Sequence, residues 1–159
     1  MRASFFSEYF GELLSTFMMA MLPVIELRGA IPAGVAMGLS PAVSFIVSVL
    51  GNMLPVPFII LLIRRIFSWL KRHSSFWGGM VARLENKAHD KSALVIKYRA
   101  IGLCLLVAIP LPGTGAWTGA LVAAFLDMPL KSALPTILLG VLIAGVIVLA
   151  VTYGLIAVF

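Results

Sequence analysis

Charge is what this chain has least of. Only 11% of its 159 residues are charged, against roughly a quarter in a soluble domain. With 62% hydrophobic residues and a mean hydropathy of +1.11, the composition excludes a water-soluble globule and predicts an integral membrane protein. Cysteine is nearly absent. Cys104 stands alone in an apolar run, so no internal disulfide can form and thiol redox chemistry is not expected. The two histidines, His73 and His89, belong to no cluster of ligating side chains at metal spacing, and no metal or other cofactor is expected. There is no Ser/His/Asp set and no phosphate loop with a lysine. A lipid hydrolase would need a nucleophile or a metal, so an enzyme is not expected either.

The few charges present are unevenly placed. Nine of the twelve Lys/Arg fall between residues 64 and 99 (Arg64, Arg65, Lys71, Arg72, Arg83, Lys87, Lys91, Lys97 and Arg99), and Glu85 and Asp90 leave that segment at +7. The positive-inside rule puts it in the cytoplasm, against anionic head groups. It lies between membrane spans and carries no recognisable nucleic-acid motif, so no nucleic-acid partner is expected. No cleavable signal peptide is evident, because Glu8 and Glu12 interrupt the first apolar run and no small-residue cleavage site follows. The length allows one domain with a few spans. So small a protomer is expected to form a homodimer or higher homo-oligomer, with small-residue spacings such as Gly34-x-x-x-Gly38 and Gly115-x-x-x-Gly119 permitting close helix approach.

Taken in order, residues 5–22 form an apolar helical stretch, short for a span, that Pro23 ends. Residues 30–39 form a second short apolar piece. Between them lies Met21-Leu-Pro-Val-Ile-Glu-Leu-Arg-Gly-Ala-Ile-Pro-Ala-Gly34, which carries Glu26 and Arg28 and is interrupted by Pro23, Gly29, Pro32 and Gly34. Ser40-Pro41 opens a full span to Ile63, with a kink expected at Asn52, Pro55 and Pro57. Residues 66–97 form the polar stretch: an interfacial amphipathic helix, a stop at Gly78-Gly79, and a short polar helix over 80–91. Residues 98–109 are again apolar and too short to span. A Pro/Gly-rich tip follows over 110–115, within the stretch Ala108-Ile-Pro-Leu-Pro-Gly-Thr-Gly-Ala-Trp-Thr-Gly-Ala120, then a short arm over 116–126, a turn at Asp127-Met-Pro129 that Lys131 beside Asp127 keeps at the cytoplasmic surface, and a long apolar run from Leu130 to Phe159.

The order arm, broken tip, arm, turn and span therefore occurs twice. Sliding one half on the other pairs Pro23 with Pro110, Ala33 with Ala120, Val35 with Val122, Ala36 with Ala123 and Leu39 with Leu126. With one residue inserted, Pro41 meets Pro129 and Ser44 meets Ser132. The first unit enters from outside, because its span ends at cytoplasmic Arg64, and the second enters from the cytoplasm. The expected fold is all-α, in a single membrane domain over 1–159. It is an inverted repeat of two units, each a re-entrant helical hairpin followed by a transmembrane helix: 1–65, a basic cytoplasmic amphipathic linker over 66–97, and 98–159. Both termini then lie outside.

A charge in a bilayer costs on the order of 3 kcal/mol, so it tends to be kept for a use. On a regular helix Glu26 and Arg28, two apart, would not pair; in an extended tip, or with partners in the other hairpin, both can be satisfied. Two readings stand. In one, the pair pins the tip through carboxylate-to-amide and guanidinium-to-carbonyl bonds. In the other, Arg28 binds an anionic group with its planar fork and Glu26 carries a proton, since a carboxylate out of water holds one more readily. The second tip offers Gly113, Thr114, Gly115, Trp117 and Thr118 as further substrate contacts, through amides, hydroxyls and a cavity wall. Pro23, Gly29, Pro32, Pro110, Pro112 and Gly119 shape the tips, and Asn52, mid-span, is placed to bond one of them.

Two stretches, Glu26-Leu-Arg-Gly-Ala-Ile-Pro-Ala-Gly34 and Ile109-Pro-Leu-Pro-Gly-Thr-Gly-Ala-Trp-Thr-Gly119, resemble the signatures of the small multidrug export protein family, and the resemblance covers nearly the whole chain. It implies a distant place in the DedA/VTT superfamily, whose members have two opposed re-entrant hairpins. It also implies movement of a lipid phosphate of the undecaprenyl-phosphate class between leaflets, with proton coupling. The DedA pattern has two arginines in its second hairpin, and this chain has none after Arg99. The alternatives are a proton-coupled exporter of small lipophilic cations and a non-transporting structural or assembly protein. The expected partner is a membrane lipid, a polyprenyl phosphate, or an amphipathic small molecule.

Overall fold

A computed structural model describes residues 2–73, 93–111 and 113–158, with side chains over 7–69, 98–111 and 113–154. The described residues are helical apart from short connections. Helix α1 runs Arg2–Met21, α2 Glu26–Ala36, α3 Pro41–Met53, α4 Pro55–His73, α5 Ala93–Ala108, α6 Ala116–Phe125 and α7 Leu130–Val158. The short polar helix read over 80–91, His89 and Pro112 lie outside the described residues.

Two stretches are long and apolar enough to cross a membrane: Pro41–Trp69, which joins α3 to α4, and Leu130–Gly154 within α7. At 29 and 25 residues they exceed the ~20 residues that a bilayer core needs. The break between α3 and α4 falls at Leu54, as the prolines predict. Pro55 and Pro57 bring no N–H, so the Gly51 and Met53 carbonyls have no amide donor one turn on. Past the break α4 continues to His73, so Arg64 and Arg65 sit within a helix, and the amphipathic stretch expected to start at residue 66 begins as its continuation.

Helices α2, α5 and α6, with 11, 16 and 10 residues, are too short to cross alone. Helix α1 ends just before Pro23, where the residue preceding a proline leaves the helical region. Pro32 and Gly34, read as breakers, instead lie inside α2. A proline in a helix costs one backbone bond, and here neighbouring helices hold the segment. The irregular part of the first tip is therefore only residues 22–25.

Helices α2 and α6 end in the same way. At the end of α2 Gly38 takes a φ of 106°, Gly38 N–H bonds the Val35 carbonyl at 3.1 Å and Leu39 N–H the Gly34 carbonyl at 3.0 Å. At the end of α6 Asp127 takes a φ of 50°, its N–H bonds the Ala124 carbonyl at 3.1 Å and Met128 N–H the Ala123 carbonyl at 3.0 Å. Both are Schellman caps, and in both the next side chain, Leu39 or Met128, is buried. Ser40 then caps α3, its Oγ accepting from Val43 N–H, with Pro41 in the first turn.

Helix α2 packs on α1, α3 and α7, while α6 packs on α4, α5 and α7. The core is built from Leu27, Ile31, Ile60, Leu103, Val107, Ile137 and Val141. Two glycines let helices meet at backbone distance. A Cβ on Gly51 of α3 would stand 2.5 Å from the Phe17 carbonyl of α1, and one on Gly140 of α7 would stand 2.9 Å from the Cys104 carbonyl of α5. Close approach of this kind is how membrane helices gain packing without a hydrophobic drive between them.

Candidate functional site

The site forms where the two irregular connections meet, after α1 and after α5. Glu26 opens α2 with a φ of 49°, a left-handed conformation that costs a non-glycine residue about 1 kcal/mol or more. It turns the carboxylate away from its own helix and onto the start of α6. There Trp117 N–H donates to Glu26 Oε1 at 3.4 Å. Gly115, the residue before α6, lies so close that a methyl on it would fall on the Glu26 carboxylate. Glu26 therefore does for α6 what an N-cap side chain does for its own helix, supplying an acceptor and a negative charge at the positive end. The side chain is 4% exposed.

Arg28 reaches the other end of the same break. Its Nη1 donates to the Leu111 carbonyl. Its Nη2 donates to the Ile109 carbonyl at 3.3 Å and to Thr114 Oγ1 at 2.9 Å. These carbonyls follow the end of α5, where a cation is favoured and where a fork with several donors can serve two acceptors at once. The Arg28 Nε is buried and has no partner among the described residues. The Thr114 hydroxyl also accepts from Leu111 N–H at 3.3 Å and has the Ile109 and Leu111 carbonyls, each at 2.9 Å, to donate to. Thr118 Oγ1 donates to the Gly113 carbonyl at 2.9 Å.

A reverse contact completes the arrangement. Trp117 Nε1–H donates to the Met21 carbonyl at the end of α1, at 3.1 Å. Each tip thus satisfies backbone groups that the other leaves open, which lipid could not do. A pocket of about 490 Å³ opens beside these contacts, lined by Pro23, Val24, Ile25, Glu26, Arg28, Pro110, Gly113, Thr114 and Thr118.

The structure thus gathers Pro23, Glu26, Arg28, Pro110, Gly113, Thr114 and Thr118 around one pocket and puts Gly115 and Trp117 directly behind it. Trp117 is half-buried and turned to α1. Gly29 lies against Ile25, and Gly119 against Val107, where a Cβ would come within 2.5 Å of each neighbour's Cγ2. Asn52 is fully buried in α3, and its amide bonds neither tip. Of the two ways in which this pair could be satisfied, an extended tip or partners in the other hairpin, the structure shows the second: Glu26 and Arg28 lie in the first turn of α2 and bond across the break.

Sequence reasoning missed the far end of α6. Arg64 Nη2 donates to the Met128 carbonyl and Arg99 Nη1 to the Leu126 carbonyl at 3.1 Å, while Arg64 lies 3.7 Å from Asp127. In the sequence both arginines bear on topology, as members of the basic run. A short helix with two arginines at its C-terminal side and a carboxylate at its N-terminal side is charged against its dipole at both ends. Among the described residues no group of His, Cys, Asp and Glu could hold a metal ion.

A family model described as "Putative small multi-drug export protein" matches residues 26–147. No curated protein and no solved structure matches the chain.

Proposed function

The chain belongs to the small multi-drug export protein family, and from that premise we propose that it is a membrane transporter whose substrate site is the pocket between the two tips. The two long apolar stretches and the family together support a membrane location. The substrate proposed is an anionic lipid phosphate, of the polyprenyl-phosphate class, moved between leaflets. The observation that carries this is Arg28, a guanidinium in the pocket wall whose Nη donors serve two backbone carbonyls and the Thr114 hydroxyl while its Nε has no partner among the described residues. A phosphate offers the same fork better acceptors, because bonds between two charged groups are roughly twice as strong as neutral ones. Binding would then exchange the Ile109 and Leu111 carbonyls for phosphate oxygens and loosen the hold of the first tip on the second. Glu26 is the proposed proton carrier: once protonated, it no longer offers α6 a negative charge, and the other half of the hold weakens.

The fold proposed around this site is an inverted repeat of re-entrant hairpins. Its support is residue by residue. Pro23 and Pro110 each follow a first arm, and Gly51 and Gly140 each receive that arm's backbone. Glu26 and Gly115 each open a second arm with positive φ, and Arg28 and Trp117, two residues on, each cap the other unit's first arm. The second tip is longer, with Leu111 to Gly115 where the first has Val24 to Glu26. Beyond the tips, Leu39 therefore pairs with Met128, where the plain slide paired it with Leu126. If the units are opposed, a cysteine placed at Ser75 is labelled only from the cytoplasmic face, and one at Arg2 only from outside. Labelling of Ser75→Cys from outside alone would overturn this topology.

A second reading, export of a lipophilic cation, is favoured by the family description and by the buried carboxylate. Arg28 beside that carboxylate opposes it. Reconstitution in liposomes with a polyprenyl phosphate and with a lipophilic cation, for wild type, Glu26→Gln and Arg28→Ala, separates the two. Lipid-phosphate movement lost in Arg28→Ala is expected. Cation movement that survives Arg28→Ala while lipid phosphate stays put would give the site to drug export, and movement of neither under any pH gradient would remove the transporter reading.

A further inference from the structure

We infer that a buried polar seam through the first unit conducts protons between the α2–α3 turn and Glu26. The inference rests on the reading of Glu26 as proton carrier. Ser44, Ser48 and Asn52 follow one another at one-turn intervals on α3, so they share a face, and all three are fully buried. Thr16 of α1, also fully buried, joins them: a methyl on Gly34 of α2 would fall between the Ser44 and Thr16 hydroxyls.

The seam begins at Glu12, whose carboxylate approaches Gly38 at the α2–α3 turn and whose backbone carbonyl accepts from Thr16 Oγ1 at 2.8 Å. Ser44 Oγ donates to the Ile31 carbonyl at 2.8 Å. Helices α2 and α3 fold back on each other through that turn, with Gly34 against Ser44. Equal rise along both helices then carries Ser48 to the level of Ala30 and Asn52 to the level of Glu26. Arg28 is the charged neighbour of Glu26 at that end.

Two features separate this seam from ordinary packing. First, Ser48 Oγ and both polar atoms of the Asn52 amide have no partner among the described residues. A buried polar group left so costs about 1–3 kcal/mol, a cost that bridging water removes, and groups that both donate and accept are what a chain of water needs. Second, the corresponding face of α7 is built from Ala133, Ile137 and Val141, equally buried, with Leu103 in the place of Thr16. The fold therefore accepts apolar side chains at these places, and the polar ones in the first unit are not required by packing.

The test is infrared spectroscopy of the protein in membranes, with the Glu26 carboxyl band assigned by Glu26→Gln and its deuteration followed in time. Asn52→Leu, Ser48→Ala and Gly34→Ala are each expected to slow that deuteration by about 10²-fold, the low end of what a positioned proton-transfer group contributes. Asn52→Leu should also hold or raise the melting temperature, which shows that the fold is intact. Deuteration at the wild-type rate in Asn52→Leu and Ser48→Ala would overturn the seam and leave the Glu26 reading standing. A Glu26 that stays a carboxylate at every pH would overturn that reading, and the seam with it.

Discussion

The two tips meet the same physical difficulty and answer it differently. Each is a break in helical backbone among apolar helices, and each has open N–H and C=O groups that protein groups satisfy. The first tip is short, residues 22–25, and the group that covers the end of α1 is the neutral indole N–H of Trp117. The second is longer and leaves more backbone open. It is covered by two full charges, Glu26 at the start of α6 and Arg28 after the end of α5. Charge was placed where the most backbone had to be held, and it was supplied by the other unit. A hold made of ionic groups can be released by a proton or by a competing anion, whereas a neutral one responds to neither. On the proposed function, the second tip is therefore the part expected to move.

Gly115→Ala should have the largest effect on this contrast. The added methyl falls on the Glu26 carboxylate, and the φ of 141° is strained for any side chain. Ejecting a buried carboxylate from its cap should cost about 3 kcal/mol or more in detergent melts. A melt within error of wild type would mean that Glu26 does not hold the start of α6.

Next come the two caps compared directly. Arg28→Lys keeps the charge but loses the fork that serves Ile109, Leu111 and Thr114 together, an expected loss of about 2 kcal/mol. Trp117→Phe removes one bond to Met21, expected at about 1 kcal/mol. The reverse order would place the stronger hold on the first tip and break the comparison.

The smallest effect is expected at the paired turns. Gly38 and Asp127 occupy the same left-handed place, but Asp127 bears a side chain there. Asp127→Gly should gain about 0.5–1 kcal/mol, because the ion pair it gives up with Arg64 is well exposed on the Asp127 side. A loss of stability would show that this ion pair outweighs the backbone strain.

Much of this was legible in the sequence, and the reasons are local. Pro23, the Pro55/Pro57 pair and the Pro/Gly run at 110–115 announce breaks because proline removes a donor wherever it stands. The spans announce themselves by length, read as 41–63 and 130–159 and found as apolar helical stretches over 41–69 and 130–154. Pro32 and Gly34 misled, since a proline inside a helix is tolerated when neighbours supply the packing, and Gly34 is there for the approach of Thr16 and Ser44. That Glu26 and Arg28 would find partners in the other tip was open as one of two possibilities, but apart from the Thr114 hydroxyl their acceptors and donor are backbone groups of Ile109, Leu111 and Trp117, which every residue has and no sequence marks. The roles of Arg64 and Arg99 were hidden for the same reason: their acceptors are the Leu126 and Met128 carbonyls. The seam of Thr16, Ser44, Ser48 and Asn52 was missed because hydroxyls scattered through apolar helices acquire meaning only when three helices bring them together.

The central claim is that the hold between the tips must be released for substrate to move, and locking it closed tests this most directly. Cysteines at Val24 and Gly113, which line the same pocket from opposite tips, are introduced in a Cys104→Ser background and joined by a short bismaleimide. Lipid-phosphate movement is then measured in liposomes. The account predicts movement in the double-cysteine protein treated with a monofunctional maleimide, and its loss in the joined protein. Movement at the uncrosslinked rate with the tips joined would contradict it.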